Sequence, residues 1–150
     1  KVLREFQGVE HRIELCNEID GIRFVNDSKG TNPDAAIRAI EAMKRDIILI
    51  AGGYDKGASF DEFVNAFDGK VKALVLLGKT ATKIKEAAEK AGFTNTVILK
   101  DMEACVREAY RLAESGDVVL LSPACASWDM YTSFEQRGEH FKACVRELER

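Results

Sequence analysis

Small and polar residues gather at four places where an apolar run of the sequence ends, and these are the residues able to do chemistry. Ser122-Pro123-Ala124-Cys125-Ala126-Ser127-Trp128-Asp129 follows the run Asp117-Val118-Val119-Leu120-Leu121 and leads to Phe134-Glu135-Gln136-Arg137-Gly138. Asn26-Asp27-Ser28-Lys29-Gly30-Thr31-Asn32-Pro33 sets a carboxylate, hydroxyls and an ammonium ahead of a helix start. There Asp27 could accept hydrogen bonds from a ribose diol, and Lys29 and Thr31 could hold anionic oxygens beside the helix dipole. An Asx-turn with a solvated lysine is the competing reading. In Gly52-Gly53-Tyr54-Asp55-Lys56-Gly57 the paired glycines let backbone approach a ligand while Lys56 supplies a point charge. This is not a P-loop, because Lys56 is followed by Gly57 rather than by a hydroxyl residue that would hold Mg²⁺. Gly78-Lys79-Thr80 is short enough to be a helix cap and reads as structural.

Outside those four places, Arg12 of His11-Arg12 suits bidentate contact with phosphate or carboxylate, whereas His11 could equally be a surface residue. The other histidine, His140, falls inside the last helix and reads as covering its surface, so no Ser/His/Asp set forms and no catalytic residue is assigned. The acids show no metal-ligand spacing. Four cysteines, Cys16, Cys105, Cys125 and Cys144, stand far apart and read as reduced, packed thiols, with Cys125 in its loop the one open to reactivity.

Positioning these groups requires strands that end together. His11 to Asn17 and Ile22 to Asn26 alternate apolar and polar around the turn pair Asp20-Gly21, which predicts an opening β-hairpin. A helix over about Asn32 to Met43 has Asn32 as N-cap, Pro33 first, Asp34 in the first turn, and Ala36, Ile37, Ile40 and Met43 on one face. Strands follow over Asp46 to Ala51, Val71 to Leu77, Thr96 to Leu99 and Asp117 to Leu121. Between them lie a helix opened by a Ser59/Glu62 capping box and burying Phe60, Phe63, Val64 and Phe67, and helices over about Ala81 to Ala91 and Met102 to Glu114. Ser133 and Gln136 make a second capping box for a last helix facing Phe134, Phe141, Val145 and Leu148 inward. The alternation predicts a Rossmann-like α/β fold: a mostly parallel sheet, helices on both faces, and the hairpin adding an antiparallel strand. All four polar segments would then share one sheet edge.

With 150 residues and 46% hydrophobic content the chain can bury a full core, so one domain is expected and no repeat or linker interrupts it. A net charge of −3 with dispersed lysines and arginines argues against a nucleic-acid partner. The apolar runs are too short to cross a membrane, and the first residues lack a signal-peptide pattern, so a cytoplasmic location is expected. The start at Lys1-Val2-Leu3-Arg4 without methionine fits a mature piece or an excised domain.

His11-Arg12-x-Glu14, Asn26-Asp27-Ser28-Lys29-x-Thr31-Asn32, Gly52-Gly53-x-Asp55-Lys56 and Ser122-Pro123-Ala124-Cys125-Ala126-Ser127, in this order, resemble the C-terminal domain of the Mur ligases. The match is to the D-glutamate-adding branch, since the other Mur ligases typically carry a D-Y-A-H type motif where this chain has Asp27-Ser28-Lys29. The resemblance covers essentially the whole chain. It implies part of an ATP-dependent ligase that forms an acyl phosphate on UDP-N-acetylmuramoyl-L-alanine and lets the amine of D-glutamate attack it, in peptidoglycan synthesis. Carried over residue by residue, it places Thr31 and Lys56 at the α-carboxylate of D-glutamate, and Ser127 with the Phe134 backbone at its side-chain carboxylate. Trp128 stands in that pocket where the family usually has a smaller or non-indole apolar residue. On the nucleotide side it places Asp27 at the ribose, Arg12 with its neighbour His11 at phosphate, and Lys29 beside both ligands. The family's P-loop, Mg²⁺ ligands and carbamylated lysine belong to a central domain and its uridine-nucleotide pocket to an N-terminal one, neither of which is in this sequence. The isolated chain is therefore expected to be inactive and monomeric. A stand-alone nucleotide-binding module is the alternative.

Overall fold

The computed structural model describes residues 10–54 and 57–149. Strands β1 (Glu14–Ile19), β2 (Ile22–Asn26), β3 (Ile47–Ala51), β4 (Val71–Leu76), β5 (Thr96–Ile98) and β6 (Val118–Leu121) form one sheet in the order β1-β2-β6-β3-β4-β5. Helices α1 (Pro33–Ala42), α2 (Asp61–Asn65), α3 (Ala81–Lys90), α4 (Met102–Leu112) and α5 (Phe134–Glu147) connect or follow them. The hairpin β1-β2 is antiparallel and every other pairing is parallel, as the alternation predicts. Asp20 and Gly21 both adopt positive φ, 54° and 79°, the geometry that a two-residue turn needs to match the strand twist.

β2, β3 and β6 are buried along their whole length, because helices cover both faces and alternate side chains enter separate cores. Val25, Leu49, Leu74 and Leu120 pack with α1, α2 and α3, while Phe24, Ile48, Ile50, Val75, Val119 and Leu121 pack with α4 and α5. Asn32 caps α1 as expected, its Oδ1 accepting from the Ala35 N–H at 2.9 Å, with Pro33 at the first helical position. Ile37 is only partly buried, its place on the inner face taken by Ala39. Phe134 and Leu148 of α5 likewise sit at the rim of the core rather than inside it.

The Ser59/Glu62 capping box does not form. α2 is a five-residue helix whose N-cap position is held by buried Phe60, and Ser59 Oγ accepts only from Asp61 N–H at 3.3 Å. Packing of the Phe60 ring against Phe63 decides the start, since burying an aromatic outweighs one exposed cap. The second box forms by half: Ser133 Oγ accepts from Gln136 N–H at 3.1 Å, but Gln136 Oε1 reaches back one residue further, to Thr132 N–H at 2.8 Å.

Two features of this frame place the site. Asn26 lies opposite Leu121, Ile50 opposite Leu121 and Ala51 opposite Leu76, so the carboxyl ends of β2, β6, β3 and β4 are adjacent and level. The chain leaves β2 and β3 toward one face and β6 toward the other, which opens a crevice beyond β6 of the kind that binds ligands in open α/β sheets. The start of the hairpin closely approaches α5 at Gly138, where an added Cβ would collide with His11 Nδ1 and lie 3.0 Å from Asn26 Nδ2.

Gly138→Ala tests that close approach. Helix propensity alone favours alanine by about 1 kcal/mol, whereas forcing a methyl into a packed contact costs about 1–3 kcal/mol. The variant is expected to unfold at lower urea concentration than the parent, and a higher midpoint would show that His11 moves aside freely.

Candidate functional site

The loop after β2 is built around Asp27. Its Oδ1 accepts from Ile13 N–H at 3.1 Å and its Oδ2 from Ser122 Oγ–H at 2.7 Å, so it joins the start of the hairpin to the end of β6. Burial pushes this carboxyl up to about 6, against the opposing pull of those two donors and of Arg12 and Arg137. Gly30 closes over it so tightly that a Cβ there would lie 2.7 Å from Asp27 Oδ2 and 2.9 Å from Ser122 Oγ. Around the carboxyl a recess of about 130 Å³ is lined by Arg12, Ile13, Asp27, Lys29, Gly30, Ala35 and Arg38. Three cations surround one buried acid, a combination suited to a polyanion that also carries hydroxyl donors.

Arg12 reaches the recess from a backbone held out of its ordinary range: His11 and Ile13 on either side of it take φ of 67° and 49°. Left-handed backbone at a β-branched isoleucine is costly, and the Asp27 bond to its N–H helps to hold it. His11 itself is buried and does not line the recess, which corrects the surface alternative. Asn26 Oδ1 accepts from Ser28 N–H, so its Nδ2 must donate, to His11 Nδ1 at 2.9 Å and Glu14 Oε1 at 3.0 Å. That arrangement assigns His11 the tautomer with hydrogen on Nε2, which faces Glu139 at 3.6 Å and Glu10 at 3.8 Å.

The loops after β3 and β4 lie against the loop after β6. Gly52 N–H donates to Pro123 O at 2.9 Å and Tyr54 N–H to Ala126 O at 2.8 Å. Asp129 Oδ2 accepts from Lys79 N–H at 3.0 Å, and Thr80 is buried beside Cys125 with 3.2 Å between Oγ1 and Sγ. Cys125, 3% exposed, is therefore a packed thiol, and its place in the loop does not open it to solvent. Lys56 and Asp55 lie outside the described residues.

Arg137 ties the site together, and it was not assigned a role from the sequence. Only 3% exposed, it donates from Nε to Ser28 Oγ at 3.0 Å, from Nη2 to Ser28 O at 2.8 Å and from Nη1 to Cys125 O at 3.0 Å. These partners are all neutral. Burial lowers its pKa to about 10, which leaves it charged at neutral pH. The signal was present in the sequence: a cation in the opening turns of a helix opposes the dipole and needs another reason to be there. Ser28 completes the connection by donating to Phe134 O at 2.7 Å.

On the other side of that clasp a second recess, of about 280 Å³, is lined by Thr31, Ala126, Ser127, Trp128, Thr132, Ser133 and Phe134. Thr31, Ser127, Trp128 and Phe134 are thus brought together around one recess. Trp128 is 62% exposed and leans on Tyr54, ring centroids 5.5 Å apart. Lys29 Nζ lies 5.6 Å from the Phe134 ring centroid, between the two recesses. A larger groove of about 440 Å³ lies between Gly57–Asp61 and α3, and its residues Ala58 and Phe60 also line a recess of about 40 Å³ with Thr31, Tyr54 and Cys125. His140 is exposed and accepts or donates at Tyr131 Oη, 2.7 Å away.

Comparison with known proteins gives the family. The model of the Mur ligase, glutamate ligase domain, matches residues 11–125. A UDP-N-acetylmuramoylalanine–D-glutamate ligase of Caldanaerobacter subterraneus is 59% identical over 150 residues, which are 99% of this chain and 33% of the relative. The ligase of the same name from Clostridioides difficile is 56% identical over 147 residues, with 98% and 33% covered. The chain thus spans about a third of the length of the curated relatives it matches. Among solved structures, a UDP-N-acetylmuramate-alanine ligase from Thermotoga maritima superposes with a TM-score of 0.67 at 15% identity, covering 97% of this chain and 32% of the other. A bifunctional folylpolyglutamate synthase/dihydrofolate synthase with Mn, AMPPNP and L-glutamate bound gives 0.62 at 17% identity, with 93% and 32% covered; at such identities the likeness is one of fold. With its six-stranded mixed sheet, its crevice beyond β6 and a family match over most of its length, the chain belongs to the Mur ligases, as their glutamate ligase domain.

Proposed function

We propose that this chain is the C-terminal domain of a cytoplasmic, monomeric, ATP-dependent ligase. The enzyme would join D-glutamate to UDP-N-acetylmuramoyl-L-alanine through an acyl phosphate, with the chain's role being to hold the amino acid and close over the nucleotide. The observation that carries the reading is that two recesses of different chemistry, one cationic around a buried acid and one lined by hydroxyls, approach each other where Lys29 of the first lies 5.6 Å from the Phe134 ring of the second. ATP fits the first: Arg12 and Lys29 meet phosphate oxygens and Asp27 accepts from a ribose hydroxyl, while Gly30, where a Cβ would collide with Asp27 Oδ2 and Ser122 Oγ, lets the loop close around that carboxylate. When bound, ATP supplies the phosphoryl group that activates a carboxylate. The divalent cation that accompanies it, Mg²⁺ in this reading, is held by domains outside this chain.

D-Glutamate carries a carboxylate at each end, and each needs directional donors. Ser127 Oγ and the Phe134 N–H, in the first turn of α5 where backbone N–H groups have no intrahelical acceptor, serve the side-chain carboxylate. Thr31 and Lys56 serve the α-carboxylate, and Trp128 covers the methylene chain. The partners are these small molecules and the central and N-terminal domains of the longer protein. A stand-alone nucleotide-binding module leaves the Thr31–Ser127–Phe134 recess without a purpose.

The isolated chain is expected to show no ATP hydrolysis and no amide formation, since no P-loop is present. Turnover that copurifies with the chain and is lost in Asp27→Ala would overturn this. In the full-length enzyme, Ser127→Ala and Lys56→Ala are expected to raise KM for D-glutamate by about one to two decades, the loss of a charge-assisted hydrogen bond of roughly 1.5–3 kcal/mol, and KM for ATP far less. Steady-state kinetics with each substrate varied decides it; a selective loss of ATP in Ser127→Ala would give that loop to the nucleotide.

Asp27 adds a pH dependence. Its pKa is raised from 3.8 to about 6, so the fold disfavours its ionised form: the stability it contributes is complete below about pH 4, falls as pH rises through about 6 and is constant above. A ribose hydroxyl donates best to the ionised form, so KM for ATP is expected to fall across the same window. In Asp27→Asn, where Ser122 Oγ can reverse its bond and accept from the amide, both slopes are expected to flatten. Chemical denaturation and kinetics between about pH 5 and 7.5 read them, and a parent slope unchanged in the variant would assign the titration to another group.

A further inference from the structure

We infer that Thr80 is a positioning residue for the acceptor amino acid, setting the mouth of its recess without touching it; the inference rests on the reading of the Thr31–Ser127–Phe134 recess given above. Thr80 stands at the N-cap of α3 yet makes no side-chain cap bond, so its hydroxyl is withheld from the partner that an N-cap threonine ordinarily takes. It is 1% exposed. Its Oγ1 accepts from Gly53 N–H at 3.0 Å and donates to Gly53 O at 3.1 Å, while its own backbone N–H donates to the same Gly53 O at 3.1 Å. Both polar groups of Gly53 are thus held by one residue.

The remaining lone pair of that hydroxyl lies 3.2 Å from Cys125 Sγ, whose thiol proton can enter it. Thr80 therefore joins the loop after β3 to the loop after β6 at Cys125, and Tyr54 N–H bonds to Ala126 O directly beyond. Ser127 is the next residue of one loop, and Tyr54 of the other leans on Trp128. Gly53, at φ 151°, has no side-chain torsion preferences to hold this geometry, so its peptide orientation is set from outside. A Cβ at Gly78 would come within 2.9 Å of Gly53 Cα, which shows how closely the loop carrying Thr80 is pressed against it. The cationic recess proposed for the nucleotide, by contrast, takes no lining residue from the loops that Thr80 joins. Loss of the hydroxyl is expected to loosen one half of the site.

The test is Thr80→Val, which keeps the shape and removes the hydroxyl, beside Thr80→Ser, which keeps the hydroxyl, both in the full-length enzyme. Thr80→Val, which removes the hydroxyl's bonds to Gly53 and Cys125 but no direct contact with the amino acid, is expected to raise KM for D-glutamate about tenfold, with KM for ATP within about twofold and Thr80→Ser near the parent for both. Thr80→Ala carries the same expectation should the valine variant be insoluble. A uniform loss of both affinities, an unchanged KM for D-glutamate in a soluble variant, or failure of serine to restore it would overturn the inference. If the parent enzyme uses an amino acid other than D-glutamate, the substrate reading fails, and the same ratio measured with the amino acid that does turn over still decides the role of Thr80.

Discussion

A guanidinium withdrawn from water has to find fixed acceptors for its fork of N–H groups, and Arg137 finds them on two different loops. Ser28 Oγ and O belong to the segment after β2, Cys125 O to the segment after β6, and the side chain itself rises from α5. Each hydrogen bond to a charged group is worth about 1.5–3 kcal/mol net, and removing the donor would leave buried oxygens unpaired. The three partners set three different directions, which a lysine ammonium on a flexible stem would not reproduce. What results is a fixed spacing between the cationic recess and the hydroxyl-lined one. Its hydrogen-bond partners are neutral, so among the described residues the positive charge has no direct ion pair; Asp129 and Asp27 act on it only through space, and it adds to the field of the site.

The strain near this clasp is consistent with it. Ala124, in the loop that supplies Cys125 O, adopts φ 63°, and its N–H donates to Gly30 O at 2.9 Å. His11 and Ile13 are likewise left-handed, and their neighbours Glu14 and Asp27 accept from their N–H groups at 3.0 and 3.1 Å. Such conformations cost of order 1–3 kcal/mol each and persist only where surrounding bonds over-determine them. Here they lie on the segments that carry Arg12 and the turn into Ser127. The two well-packed cores on either face of the sheet provide the stability from which this cost is met.

Whatever depended on local rules was legible in the sequence. The strands read from short apolar runs, Asn32 and Pro33 marked the start of α1, and Asp20-Gly21 marked the hairpin, because each depends on residues within a few positions. The start of α2 did not follow its cap signal, since burial of Phe60 is a tertiary fact that Ser59 and Glu62 do not record. The edge of the sheet and the residues gathered there could be inferred once the strands were taken as parallel. Roles that run through space rather than along the chain were not legible: Arg137 meets Ser28 across 109 positions, and Thr80 meets Cys125 across 45. Thr80 looked like a cap because its neighbours are those of a cap. Only the direction of its hydroxyl distinguishes the two.

Asp27 shows how the same contacts serve stability and binding with opposite sign. Burial under Gly30 raises its pKa to about 6, so at neutral pH the fold carries an ionised acid that it would hold more easily as the neutral one. Two donors, Ile13 N–H and Ser122 Oγ–H, reduce that cost without removing it. A ligand offering hydroxyl hydrogens to the carboxylate and phosphates to Arg12, Lys29 and Arg38 would relieve the acid and the cations together, which water in so narrow a recess does less well. A ligand that recovered the cost borne by the ligand-free domain would have to carry both groups, as the proposed nucleotide does, since a simple sugar or a simple phosphate would relieve only one side.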